Sequence, residues 1–208
     1  ELHAVLVLEL AVAEADELIS LLRTEIASTK LPINLIVVSD HGMGYLDPAK
    51  TILLDKLVKF SDFEVTGSGT FLSLYPKPGV NLIKAYNSLK TAPHTQVFLR
   101  ANIPASYKVS GHRIGDLVVI ADEGFYLMNK PVKDATKPSG NMATHGWTNS
   151  MKDMQGIFLA EGPNVLPGAR LQPFDNIHIY PFVLKILGLQ TSEKIDGREA
   201  VLSPIYKR

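Results

Sequence analysis

Apolar and polar positions follow two rhythms along this chain. Between Leu6 and Ala27, Leu10, Ala13, Leu18, Leu21 and Leu22 recur at three- and four-residue spacing. Glu14, Glu17, Arg23 and Glu25 take the other side, which predicts an amphipathic helix with a face to bury. Lys30-Leu31-Pro32 ends it, because proline favours an extended predecessor. The rhythm then changes. Asn34 to Val38 is short, β-branched and apolar, the pattern of a strand covered on both faces, which predicts a parallel sheet flanked by helices.

Later segments repeat these signals. Asp47 to Lys50 predicts a turn or brief helical start, and Thr51 to Leu57 fits a strand or a helix, read here as a strand leading into a short helix. Phe63 to Val65 and Thr70 to Tyr75 predict strands separated by Gly67-Ser68-Gly69, with a turn over Pro76 to Gly79. Val80 to Leu89 has helical spacing, and Gln96 to Arg100 and Leu117 to Ala121 are further strands. The order strand, strand, helix, strand, strand over 62–126 predicts an α+β insertion within an α/β domain. Asp122 to Gly140 is loop-rich, Gln155 to Ala160 predicts another buried strand, and Pro173 to Leu187 a helix kinked or split at Pro181. Gly188 is the natural stop, and the remainder to Arg208 is expected to be a tail. No internal repeat or low-complexity segment interrupts this series.

Composition narrows the chemistry more than the fold. The 208 residues are 46% hydrophobic, enough for one sizeable core, and 21 basic residues balance 21 acidic ones. That balance gives no bulk attraction to a nucleic-acid polymer or a membrane. With no cysteine, a metal must be held by oxygen and imidazole nitrogen. Ala4 to Ala13 is apolar but is interrupted by Glu9 and followed by acidic residues, so it is not read as a signal peptide, and no run reaches the ~20 apolar residues of a membrane span. The sequence opens on Glu1, already in helical pattern, and is expected to be a piece of something longer.

Candidate chemistry concentrates where the buried run ends, in Ser39-Asp40-His41-Gly42-Met43-Gly44. The C-terminal end of a strand is where open α/β sheets place ligands. A carboxylate oxygen beside an imidazole nitrogen suits a divalent metal, zinc above all, while the glycines permit a backbone wrapped closely round it. An Asp-His pair equally fits a cap and turn. His112 is read as framework, His94 as a surface turn residue, His178, within an amphipathic helix, as a surface or hydrogen-bonded core residue and His3 as an exposed end. Asp116, Asp122 and Glu123, which flank the apolar Leu117 to Ala121, are read as caps or ion-pair partners rather than as paired acid and base.

Three segments, Ser39 to Met43, His112 to Gly124 and Ala143 to Pro163, together with Asp175 to Leu189, resemble in order and spacing the ectonucleotide pyrophosphatase/phosphodiesterase family of the alkaline phosphatase superfamily. The resemblance implies an alkaline-phosphatase-like α/β fold with a mostly parallel sheet, two zinc ions at its C-terminal edge, and hydrolysis of phosphodiester or pyrophosphate bonds through a threonine nucleophile and a phospho-threonine intermediate. Asp40 and His41 match ligands of one zinc, and His145 a ligand of the other. Trp147 either lines the substrate cleft or shields the metal from solvent. Thr144 is not read as the nucleophile, because the family's threonine begins a helix elsewhere.

The departures count as well. The family's threonine, its early aspartate and the aspartate and histidine of its Pro-Asp segment have no match here, so the chain resembles the C-terminal part of a catalytic domain. The substrate is expected to be a small phosphodiester or nucleotide, the missing N-terminal half a partner, and the compartment extracellular or periplasmic. A phosphomonoesterase or sulfatase-like hydrolase of the same superfamily shares the metal core, and a truncated, non-catalytic binding module is the reading of a different class.

Overall fold

The computed structural model describes residues 2–109, 111–128 and 143–208, which divide into two compact units, 1–40 with 157–208 and 41–156. Together they make a mixed α/β chain with three α-helices and several small sheets among the described residues.

In the first unit, helix α1 runs over Leu2–Thr29, slightly longer than its periodicity predicts. Leu10, Leu18, Leu21 and Leu22 nevertheless remain exposed. Helical backbone forms on local hydrogen bonds, whereas burial needs a facing layer, and the described residues do not cover this stripe. The exposed ion pair from Arg23 Nε to Glu161, 2.6 Å, contributes little beyond tethering α1. Strand β1 (Leu35–Val38) forms where expected, but its one partner among the described residues is the strand Phe158–Glu161, antiparallel, with Leu35 opposite Glu161 and Val38 opposite Phe158. It is therefore half-buried rather than covered on both faces. Apolarity at every position says that a strand favours two covered faces; it does not say which element covers them.

The C-terminal segment is not a loose tail. Leu202 and Ile205 close a core around Phe182 and Val165, and the Leu166 N–H donates to the Ile205 carbonyl at 2.8 Å. His178 is buried, its Nδ1 accepting from the Arg198 N–H at 2.9 Å, the hydrogen-bonded role its sequence context allows. The last α-helix covers Ile179–Leu187 and starts after a short 3-10 turn, so Pro181 falls in its first turn, where no helical hydrogen bond is lost. No kink is required. Gly188, at φ +66°, ends it as expected.

The second unit begins with strand β2 (Gly44–Tyr45) and a 3-10 turn at Pro48–Lys50, where Asp47 accepts from the Ala49 N–H. Strand β3 (Thr51–Leu53) follows, but Leu54 to Val58 make a single turn rather than a helix, since both of those residues are drawn into the core. Strands β4 (Phe63–Thr66) and β5 (Phe71–Pro76), helix α2 (Leu82–Leu89), and strands β6 (Thr95–Leu99) and β7 (Leu117–Ala121) come next. The four strands form one antiparallel sheet in the order β4-β5-β7-β6. Strand β7 is buried at every position, as its unbroken apolar run predicts. Asn81 caps α2 by accepting from the Lys84 N–H.

Strand β8 (Tyr126–Met128) lies inside the stretch expected to be loop and pairs parallel with β3; residues 129–142 lie outside the described chain. Strand β9 (Ala143–Thr144) pairs antiparallel with β2, and β10 is the Phe158–Glu161 strand already placed beside β1, which makes the last helix α3.

One buried polar contact in the sheet is open to direct test. The Ser73 hydroxyl, on β5, accepts from the Gly115 N–H at 2.6 Å, and a Cβ at Gly115 would meet the Leu74 backbone at 2.6 Å. Ser73→Ala is expected to cost about 1–3 kcal/mol in urea unfolding, because it strands a buried N–H. A loss under about 0.5 kcal/mol, the range of surface substitutions, would show that the contact carries no stability.

Candidate metal centre

The strand β2–β9 ladder explains how two distant histidines meet. Gly44 lies opposite Thr144, so His41, three residues before one strand, and His145, directly after the other, leave the ladder on the same side. Their imidazoles stack with centroids 3.7 Å apart and planes 14° from parallel.

Two glycines let the backbones come this close. The Gly42 N–H donates to the Met154 carbonyl at 3.0 Å, and a Cβ there would collide with the Asp153 and Gln155 carbonyl oxygens. A Cβ at Gly44 would strike the Trp147 ring at 2.7 Å.

The ring orientation has a chemical consequence. His41 Nδ1 lies 2.6 Å from the Gly42 carbonyl oxygen. A carbonyl only accepts, so a hydrogen bond here has Nδ1–H as its donor. Metal-binding histidines characteristically use one ring nitrogen to bond a carbonyl or carboxylate, which fixes the other as the donor. With its carboxylate oxygens and two imidazoles, the set Asp40, His41 and His145 suits zinc in kind. It falls short in number, for among the described residues no three His, Asp or Glu side chains gather at metal-holding distance.

The structure thus brings two of the three expected ligands together. Asp40 precedes His41 by one peptide bond and is the last residue of the first unit; its side chain is exposed. Trp147 sits in the core rather than on an open wall: it is 5% exposed and its indole N–H donates to the Phe125 carbonyl at 2.8 Å. Asp116 pairs with Arg100 at 2.8 Å, His94 stacks on Phe125, and His112 is exposed in a turn. Gly67 and Gly69 both have positive φ, as a tight turn requires.

Sequence reasoning missed one residue near this pair. Thr70 is 3% exposed, and its hydroxyl donates to the His145 carbonyl at 3.1 Å. Nothing local marks it, since the contact spans 75 positions.

Known proteins align with the chain over most of its length. The family model described as type I phosphodiesterase / nucleotide pyrophosphatase matches residues 7–148. Ectonucleotide pyrophosphatase/phosphodiesterase family member 7 of Rattus norvegicus is 30% identical over 206 residues, covering 94% of this chain and 45% of the relative. The Homo sapiens protein of that name is 31% identical, covering 93% and 43%. Bis(5'-adenosyl)-triphosphatase ENPP4 of Bos taurus is 31% identical over 160 residues, covering 76% and 34%. The chain therefore spans less than half the length of these relatives.

Among solved structures, human ectonucleotide pyrophosphatase/phosphodiesterase 5 superposes with a TM-score of 0.84 at 23% identity, over 94% of this chain and 51% of that one. An inactive variant of the murine protein 5 in complex with AMP superposes at 0.74 and 26% identity, over 84% and 45%. The fold is accordingly alkaline-phosphatase-like α/β.

Proposed function

Because the chain belongs to the type I phosphodiesterase / nucleotide pyrophosphatase family, we propose that it is the C-terminal portion of a zinc-dependent hydrolase of phosphodiester or pyrophosphate bonds. The nucleophilic threonine, in this reading, is supplied from outside these 208 residues. The observation that carries the proposal is the stacked pair His41 and His145, two imidazoles brought from 104 positions apart to 3.7 Å.

Asp40 and His41 would hold one zinc ion and His145 the second, with the remaining ligands contributed by the rest of the catalytic unit. Bound zinc would supply polarisation of a phosphoryl oxygen and stabilisation of the leaving oxygen. The chain's own contribution is orientation. The Nδ1–H bond to the Gly42 carbonyl orients the His41 ring, and the β2–β9 ladder brings the two histidines out on the same side. Of the two roles expected for Trp147, its burial and its indole hydrogen bond to Phe125 favour shielding. A nucleotide is the favoured substrate class, since a murine relative was solved with AMP. The ectonucleotide relatives support an extracellular location within the expected extracellular or periplasmic range; among the described residues no helix is long and apolar enough to cross a membrane. Residues 62–126 are read as an α+β insertion in the catalytic domain.

Zinc analysis after dialysis, with titration, tests the assignment on this chain and on an Asp40→Ala/His41→Ala/His145→Ala variant. Zinc uptake weaker than that of a closed four-ligand site is expected, falling at least about tenfold further in the variant. Equal uptake by both would overturn the ligand assignment. The same chain is expected to leave a nitrophenyl nucleotide ester unhydrolysed at enzyme-like rates, and turnover there would show that the nucleophile lies within it.

A further inference from the structure

We propose that Thr70 is a positioning residue for His145, and that through it the four-stranded sheet holds the histidine pair in register. The inference rests on the zinc reading for its purpose but on separate contacts for its geometry.

Strand pairing alone does not explain the stacked rings. The β2–β9 ladder is two residues long, too short to be stable by itself, and both histidines lie beyond its ends. Something must fix the backbone at His145. Thr70 stands directly before β5, buried, with its carbonyl accepting from the Ala121 N–H at the end of β7 at 2.9 Å. Strands β5 and β7 are the two central strands of the sheet, so Thr70 is anchored in its most constrained part. From there its hydroxyl reaches the His145 carbonyl at 3.1 Å.

The next residue is shaped to admit that bond. Gly146 has φ +99°, and a Cβ there would run into the Thr70 hydroxyl oxygen. A side chain at 146 would therefore both strain the backbone and displace the donor. One residue further, Trp147 is locked into the core by its indole hydrogen bond to Phe125. His145 is thus held at its own carbonyl and, two residues on, through Trp147, while its ring stacks on His41. The sheet acts on the site without contributing a ligand.

The test compares Thr70→Val, Thr70→Ser and Gly146→Ala in the full chain. The first readout is the mutual ring-current shift of the His41 and His145 imidazole protons, measured by NMR without metal. The second is zinc affinity by titration. Thr70→Val, which keeps the shape and loses the hydroxyl, is expected to abolish the mutual shifts and weaken zinc about tenfold or more, in the range seen when a ligand's supporting contact is removed. Thr70→Ser is expected to retain both, and Gly146→Ala to reproduce the Val variant with the hydroxyl still present.

Wild-type shifts in Thr70→Val would overturn the proposal. Should that variant fail to fold, the other pair decides: shifts kept in Thr70→Ser and lost in Gly146→Ala support it, and shifts kept in both refute it. If the unsubstituted chain takes up no zinc, the zinc reading fails while the metal-free shifts still judge Thr70.

Discussion

Trp147→Ala is expected to destabilise the 41–156 unit by about 3–5 kcal/mol, the usual cost of emptying a buried aromatic site. The indole is 5% exposed and packs where a Gly44 side chain would otherwise stand. Its removal leaves a cavity that the neighbouring β2–β9 ladder cannot fill, and it also takes away the N–H that the Phe125 carbonyl accepts. Trp147→Phe should recover most of the packing and none of the hydrogen bond, so it is expected to fall between alanine and the natural residue. Urea unfolding followed by far-UV circular dichroism measures all three. A loss below about 1 kcal/mol for alanine would mean that the loop bearing His145 is not held by this ring.

The second large effect belongs to the other unit. Phe182→Ala is expected to cost about 3–5 kcal/mol, because its side chain is fully buried among Val165, Leu202 and Ile205. It also meets Phe158 edge-on at 6.5 Å, and Phe158 in turn meets Phe174 at 5.2 Å, so one truncation loosens a chain of aromatic contacts. Leu187→Ala on the same helix is the control. That residue is 61% exposed, and its replacement should fall within about 0.5 kcal/mol of the natural protein. Similar losses at both positions would show that the C-terminal segment does not form the core described above.

The legibility of the fold varied with the kind of interaction that sets each element. Strand β7 was readable to the residue, because a run buried at every position carries an unbroken apolar signal. Gly188 marked a helix end through purely local chemistry, a left-handed stop. Elements set by distant partners were not readable. Strand β8 has three residues in a stretch of loop composition and exists because β3 pairs with it. The C-terminal segment looked like a tail because its two buried positions, Leu202 between two short 3-10 turns and Ile205 on the second, have no long period to detect.

The candidate site divides in the same way. Asp40, His41 and His145 could be put forward as ligand candidates from residue type and from the family resemblance of their motifs, since donor chemistry is a property of single side chains. That His41 and His145 stack, that Gly42 is required by the carbonyls of Asp153 and Gln155, and that Thr70 holds the His145 carbonyl are all relations between residues far apart in the chain. By itself, then, the sequence determined the long first helix, the most apolar strands and the family. Tertiary structure alone decided which two imidazoles meet, that the Trp147 indole is buried, and which buried hydroxyl reaches the His145 carbonyl. Local signals follow from one residue and its near neighbours, whereas a packed contact requires two segments to have found each other first.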